Sequence, residues 1–205
     1  EAAYRAAVAA DPQHADAHYS LGFVLSERGD LVGTETAYRA AIAADPQFAR
    51  AHNNLGVILM KRGDLAGAET AYRAAIAAYP QHTKAHFNLG RVLYKKGDLA
   101  GAEAAYRAAI AADPQYAPAH SNLGNVLKQR GDLAGAEAAY RASIAADPQC
   151  ADAHFNLGIL LKQRGDLAGA AAAFVKVVQL DPSHPQARLH LTRALSAMRQ
   201  ERNRE

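Results

Sequence analysis

Tryptophan is missing from this chain of 205 residues, methionine occurs twice and cysteine once. A lone Cys150 excludes an internal disulfide and gives no support to an oxidising compartment, so the expected location is cytoplasmic. No apolar run approaches the ~20 residues that cross a bilayer, and no membrane partner is expected. Neither sign of charge dominates: 23 Lys and Arg stand against 20 Asp and Glu, a net +3, so nucleic acid is not an expected partner either. Aromatic residues make up only 7% of a chain that is 50% hydrophobic, which leaves the buried area to many small side chains, above all alanine. Alanine is the best helix former and a poor strand former, so helices are favoured.

What the chain has in abundance is repetition. Pro12, Pro46, Pro80, Pro114, Pro148 and Pro182 are each 34 residues apart, and Gly29, Gly63, Gly97, Gly131 and Gly165 keep the same step. A fixed period of that length means stacked units that touch only their neighbours, not one globular core. The expected division is a half unit at 1–14, full units at 15–48, 49–82, 83–116, 117–150 and 151–184, and a C-terminal capping helix at 185–205 ending in the charged run RQERNRE.

Within a unit, Ala51, Leu55, Ile58 and Leu59 share one helical face, predicting a first helix over about residues 50–61. Gly63 breaks it and Asp64 caps the next helix, whose expected buried stripe is Leu65, Ala68, Tyr72, Ala75 and Ile76. Glu69 and Arg73 are four apart on its outer surface and can pair. Asp45-Pro46 and its copies end each unit, because the residue before proline is pushed out of helical geometry. Gly22, Gly56, Gly90, Gly124 and Gly158 lie inside the first helices, where glycine costs about 1 kcal/mol against alanine. Their repetition predicts a close approach, with Tyr38, Tyr72, Tyr106, Tyr140 and Phe174 as the rings that fill the gap.

In order and spacing, Leu55-Gly56, Gly63, Ala68, Tyr72, Ala75 and Pro80 resemble the signature of the tetratricopeptide repeat family. Residues 119–148 are particularly similar to the arrays of O-linked N-acetylglucosamine transferases, including the asparagine before Leu-Gly. The resemblance implies an all-α, right-handed α-solenoid of stacked antiparallel helix pairs, a superhelix with a concave groove. It departs from the family at His18, His52, His86, His120 and His154, where tryptophan is frequent, and at Leu59 and its copies, where tyrosine is frequent.

A second stripe on the first helices varies between otherwise repeated units, and what varies is not required for stacking. It comprises Arg50, Asn53, Val57 and Met60; Lys84, Phe87, Arg91 and Tyr94; Pro118, Ser121, Asn125 and Lys128; and Asp152, Phe155, Ile159 and Lys162. The resemblance implies that this stripe lines the groove and holds a partner segment. Beside it runs a ladder of Asn54, Asn88, Asn122 and Asn156, whose amides both donate and accept and so suit the backbone of an extended peptide. The competing reading gives those amides to neighbouring helices. Basic residues in the middle of the chain, Arg50, Lys61, Lys84, Arg91 and Lys95, favour an acidic partner. The family's two-carboxylate clamp is not expected, since Asn53, Phe87 and Asn122 stand where its cations belong.

The pairs His14 and His18, His82 and His86, and Cys150 and His154 are each four apart, but two ligands make an incomplete metal site, and they are read as packing and turn residues. The Arg-Gly-Asp runs are inter-helix turns. No nucleophile, base and phosphate loop come together, so neither catalysis nor a cofactor is expected. The sequence thus predicts a protein-protein interaction scaffold binding an extended peptide or protein segment. Two alternatives remain: the substrate-recruiting arm of a larger glycosyltransferase, and a self-assembling array joined end to end through the unpartnered first helix.

Overall fold

The computed structural model of the chain describes residues 1–202, which form twelve α-helices and no strand. They fall into two compact units, Glu1–Ala112 and Asp113 onward. The first holds α1 (Ala2–Ala10), α2 (Ala15–Glu27), α3 (Leu31–Ala44), α4 (Ala49–Lys61), α5 (Leu65–Ala78), α6 (Thr83–Lys95) and α7 (Leu99–Ala112). The second holds α8 (Ala117–Gln129), α9 (Leu133–Ala146), α10 (Ala151–Gln163), α11 (Leu167–Leu180) and α12 (Ala187–Arg202). In both, each helix packs most extensively on the partner to which a short turn joins it, the arrangement of a helical solenoid. The charged run expected at the C-terminus begins within α12, and its residues 203–205 lie outside the described residues.

The turns form for local reasons. Gly63 takes φ +83°, a left-handed conformation that ends α4, and the Asp64 carboxylate accepts the Gly67 N–H at 2.8 Å to cap α5. Asp30, Asp98, Asp132 and Asp166 cap their helices in the same way at 2.8 Å. At unit ends Asp45 accepts the Gln47 N–H at 2.9 Å, and Asp11, Asp113, Asp147 and Asp181 repeat that turn. Where Tyr79 replaces the acid, a different cap stands: His82 Nδ1 accepts the Ala85 N–H at 3.4 Å.

The core is the predicted fit of ring into glycine. A Cβ added to Gly56 would lie 2.6 Å from the Tyr72 ring, and one added to Gly124 would lie 2.5 Å from Tyr140. Only the absence of a side chain lets the helices approach that closely, so the costly mid-helix glycine is repaid in packing. Ala68, Ala71, Tyr72 and Ala75 are buried on α5; Leu65 and Ile76, expected in that stripe, are only half-buried. Leu65 is the first residue of α5, at the turn, and Ile76 lines the open space between α5 and α7.

Candidate functional site

The first-helix stripe varies in sequence, and its surroundings differ from rung to rung. In the first unit Arg50 and Lys84 are exposed, Tyr94 is 39% exposed, and Asn54, Val57, Phe87 and Arg91 are half-buried. Asn53 and Asn88 are buried, at 6% and 9% exposure. These two meet across one repeat: Asn88 Nδ2 donates to Asn53 Oδ1 at 3.2 Å. Asn53 Nδ2 in turn donates to Asn54 Oδ1 at 3.1 Å, and Asn54 Nδ2 donates to the Tyr19 hydroxyl at 3.1 Å, with the Tyr38 hydroxyl at 3.4 Å. The result is a directional relay of amides running from α6 through α4 to the half-buried Tyr19 of α2, with the buried Tyr38 ring beside it.

Aromatic rings and guanidinium groups edge the relay. The Arg50 guanidinium lies 5.3 Å from the centres of both the Tyr19 and Phe48 rings, while its ion pair with Asp16, at 3.8 Å between exposed groups, adds little. Arg91 stands 5.9 Å from the Phe87 ring. Tyr19 and Phe48 were not among the residues singled out in the sequence. Their signal was available, since Tyr19 lies one period before Asn53.

One buried group on this rung has no partner. The Tyr72 hydroxyl is buried without a hydrogen bond, and burial pushes its pKa up to about 12, Arg91 offsetting the shift only in part. The register explains it. Asn88 stands to Tyr72 as Asn54 stands to Tyr38, but its amide is drawn away to Asn53, and Val57 offers no acceptor. An unsatisfied buried hydroxyl costs roughly 1–3 kcal/mol.

In the second unit Asn122, Asn125, Lys128, Phe155 and Asn156 are all half-buried. Asn125 Oδ1 accepts the Tyr140 hydroxyl at 2.7 Å. Phe155 belongs to an aromatic cluster, its ring centre 4.5 Å from His184, 5.6 Å from His190 and 5.8 Å from Phe174. His190 continues the asparagine register one period past Asn156, and burial holds its pKa below the usual histidine value, helped by the nearby charges of Lys162 and Arg193.

The histidines that replace tryptophan make a repeated contact. Nε2 of His18, His52, His86, His120 and His154 lies 2.8–3.1 Å from the carbonyl of the proline six residues earlier. Facing a carbonyl, that nitrogen must carry the proton and donate, as an indole N–H would. Among the described residues no group of three or more His, Cys, Asp or Glu is placed to hold a metal ion, and no helix is long and apolar enough to cross a membrane.

The family model described as tetratricopeptide repeat matches residues 1–33, 35–83, 59–117 and 121–185. The chain belongs to the tetratricopeptide repeat family. No protein with a curated description matches it. Among solved structures, a tetratricopeptide repeat protein titled YrrB, "with an unusual peptide-binding site", is 22% identical, with 93% of this chain and 98% of that chain covered and a TM-score of 0.75. The pilF protein of Pseudomonas aeruginosa is also 22% identical, covering 90% of this chain and 84% of its own at a TM-score of 0.81. PilW, a type IV pilus biogenesis factor, is 23% identical over 95% of this chain and 88% of that one, at a TM-score of 0.77. At these identities the likeness establishes the tetratricopeptide repeat fold alone.

Proposed function

We propose that this tetratricopeptide repeat chain is an interaction scaffold whose first-helix face binds an extended peptide or protein segment. The observation that carries the reading is the relay Asn88–Asn53–Asn54–Tyr19, four polar side chains on three successive first helices where stacking alone would be served by apolar ones. The bonds of Asn88 and Asn54 go to neighbouring helices, as the competing reading has it, but each amide carries two N–H donors and an oxygen with two lone pairs, so a relay bond uses only part of its capacity. An extended strand rises ~3.3 Å per residue, and neighbouring helices lie ~10 Å apart, so a peptide crossing the face meets a new amide about every third residue. The sequence resemblance of residues 119–148 to O-linked N-acetylglucosamine transferase arrays suggests the same backbone-gripping role for Asn122, and Asn156 holds the same place one repeat further on.

The partner class is acidic. Arg50, Lys61, Lys84, Arg91 and Lys95 gather on α4 and α6, while rings such as Phe87 and Tyr94 supply apolar contact. End-to-end joining of copies in repeat register meets an obstacle. Thr192 of α12 stands one period after Gly158, where the other first helices have room for a ring only because they lack a Cβ.

The test is a peptide array probed with the wild-type chain, Asn53→Ala/Asn88→Ala, and Arg50→Glu/Arg91→Glu. Acid-rich sequences should dominate the wild-type signal, weaken by about tenfold or more in the amide variant, and change character in the charge variant. An array pattern shared by all three proteins would refute the assignment.

A further inference from the structure

The opposite layer of the first unit holds a feature that the groove reading leaves unused. The second helices α1, α3, α5 and α7 present alanine on their flanks, and alanine is too short to close the space between neighbours. Three open troughs result, of about 300 Å³ between α1 and α3, 460 Å³ between α3 and α5, and 470 Å³ between α5 and α7. Leu55 and Leu59 of α4 line the middle trough, with Ala74 on its wall; Leu89 and Leu93 of α6, and Ala108, recur in the next. The troughs are copies in register, so they repeat at the spacing of helix pairs, ~10 Å. A helix advances almost the same distance, about 10.5 Å, in seven residues.

The rims of the troughs carry charge of one sign outward. Glu35 bonds both Arg39, at 3.0 Å, and Arg62; Glu69 bonds Arg73 at 2.9 Å and Lys96 at 2.6 Å. The cations lie over the carboxylates: the Glu35 and Glu69 side chains are 15% and 18% exposed, those of Arg39 and Arg73 59% and 60%. Two cations share each covered carboxylate, so the rim keeps guanidinium N–H donors to spare for a further acceptor. We propose that this second-helix face docks an acidic amphipathic helix, with apolar side chains at seven-residue intervals seated in the α3/α5 and α5/α7 troughs and carboxylates meeting Arg39 and Arg73. The inference is independent of the peptide face, since none of the trough residues belongs to the amide relay.

The experiment titrates the full chain into two fluorescent, covalently stapled helical probes, both with leucine at every seventh position. One carries glutamate on the flanking positions and the other lysine. The acidic probe should bind saturably, and at least about tenfold more tightly than the basic one. Ala74→Glu, which puts bulk and negative charge on a trough wall, should weaken it by about tenfold, and Arg39→Gln/Arg73→Gln by several-fold, each with an unchanged helical circular dichroism spectrum. Asn53→Ala/Asn88→Ala should leave this binding intact, separating the two faces. Equal affinity for the two probes, no saturable binding, or retention of full affinity in both trough variants would overturn the proposal.

Discussion

Tyr72 in the first unit and Tyr140 in the second hold the same place in the repeat, fill the same glycine gap and are equally buried, yet their hydroxyls meet different fates. Tyr140 donates to Asn125, whereas Tyr72 has no partner, because Val57 stands where Asn125 does and Asn88 is held by Asn53. Phe174, a further copy, dispenses with the hydroxyl altogether and is as fully buried. The ring is therefore the structural requirement. The polar atom above it is free to vary with the first-helix face, and that face is arranged differently in the two units: an amide relay in one, an aromatic and histidine cluster in the other.

The largest effect should erase the difference. Tyr72→Ala and Tyr140→Ala each remove a filling ring and should cost about 3–5 kcal/mol in chemical denaturation, alike in both units. Removing only the hydroxyl should split them. Tyr140→Phe loses a bond and should destabilise by about 1 kcal/mol, while Tyr72→Phe removes an unsatisfied group and should be neutral or stabilise by up to about 1 kcal/mol. Equal losses would show that the Tyr72 hydroxyl is satisfied after all. Val57→Asn then supplies the missing acceptor. It should recover roughly 0.5–1.5 kcal/mol when Tyr72 is present and nothing when Tyr72 is Phe, a double-mutant cycle that isolates the pair.

The smallest effect is in pH. His190 has its pKa lowered in the folded state, mainly by burial, so the unfolded chain binds the proton more readily. Stability is complete above the unfolded value of about 6.5 and falls as pH drops through it, levelling once the folded group is also protonated. His190→Asn should flatten part of that slope in urea unfolding monitored between neutral and mildly acidic pH. In the first unit the His82 pKa is lowered mainly by burial, helped by the nearby charges of His86 and Lys84, so it contributes a slope of the same sign, which His82→Asn should remove.

The sequence foretold the parts of this molecule that depend on one unit at a time. Asp64 as a cap, Glu69 with Arg73, the breaking glycine and the Gly56–Tyr72 fit all follow from spacings within 34 residues, read several times over. What it concealed depends on two neighbouring repeats whose variable residues happen to meet. Asn53 and Asn88 lie 35 residues apart, and neither position says whether its amide turns outward or toward the other. The troughs were hidden for a related reason: alanine reads as good helix packing, and only the assembled helices reveal the space that its short side chain leaves open.

Side-chain amide spectroscopy offers the most direct trial of the proposed peptide face. A peptide selected on the array is titrated into the labelled chain while the amide signals of Asn53, Asn54 and Asn88 are followed. Binding across the relay predicts that all three shift together and saturate at one stoichiometry, with Arg39 and Arg73 undisturbed. Shifts confined to residues of α3, α5 and α7, with the three asparagines unmoved at saturation, would contradict it.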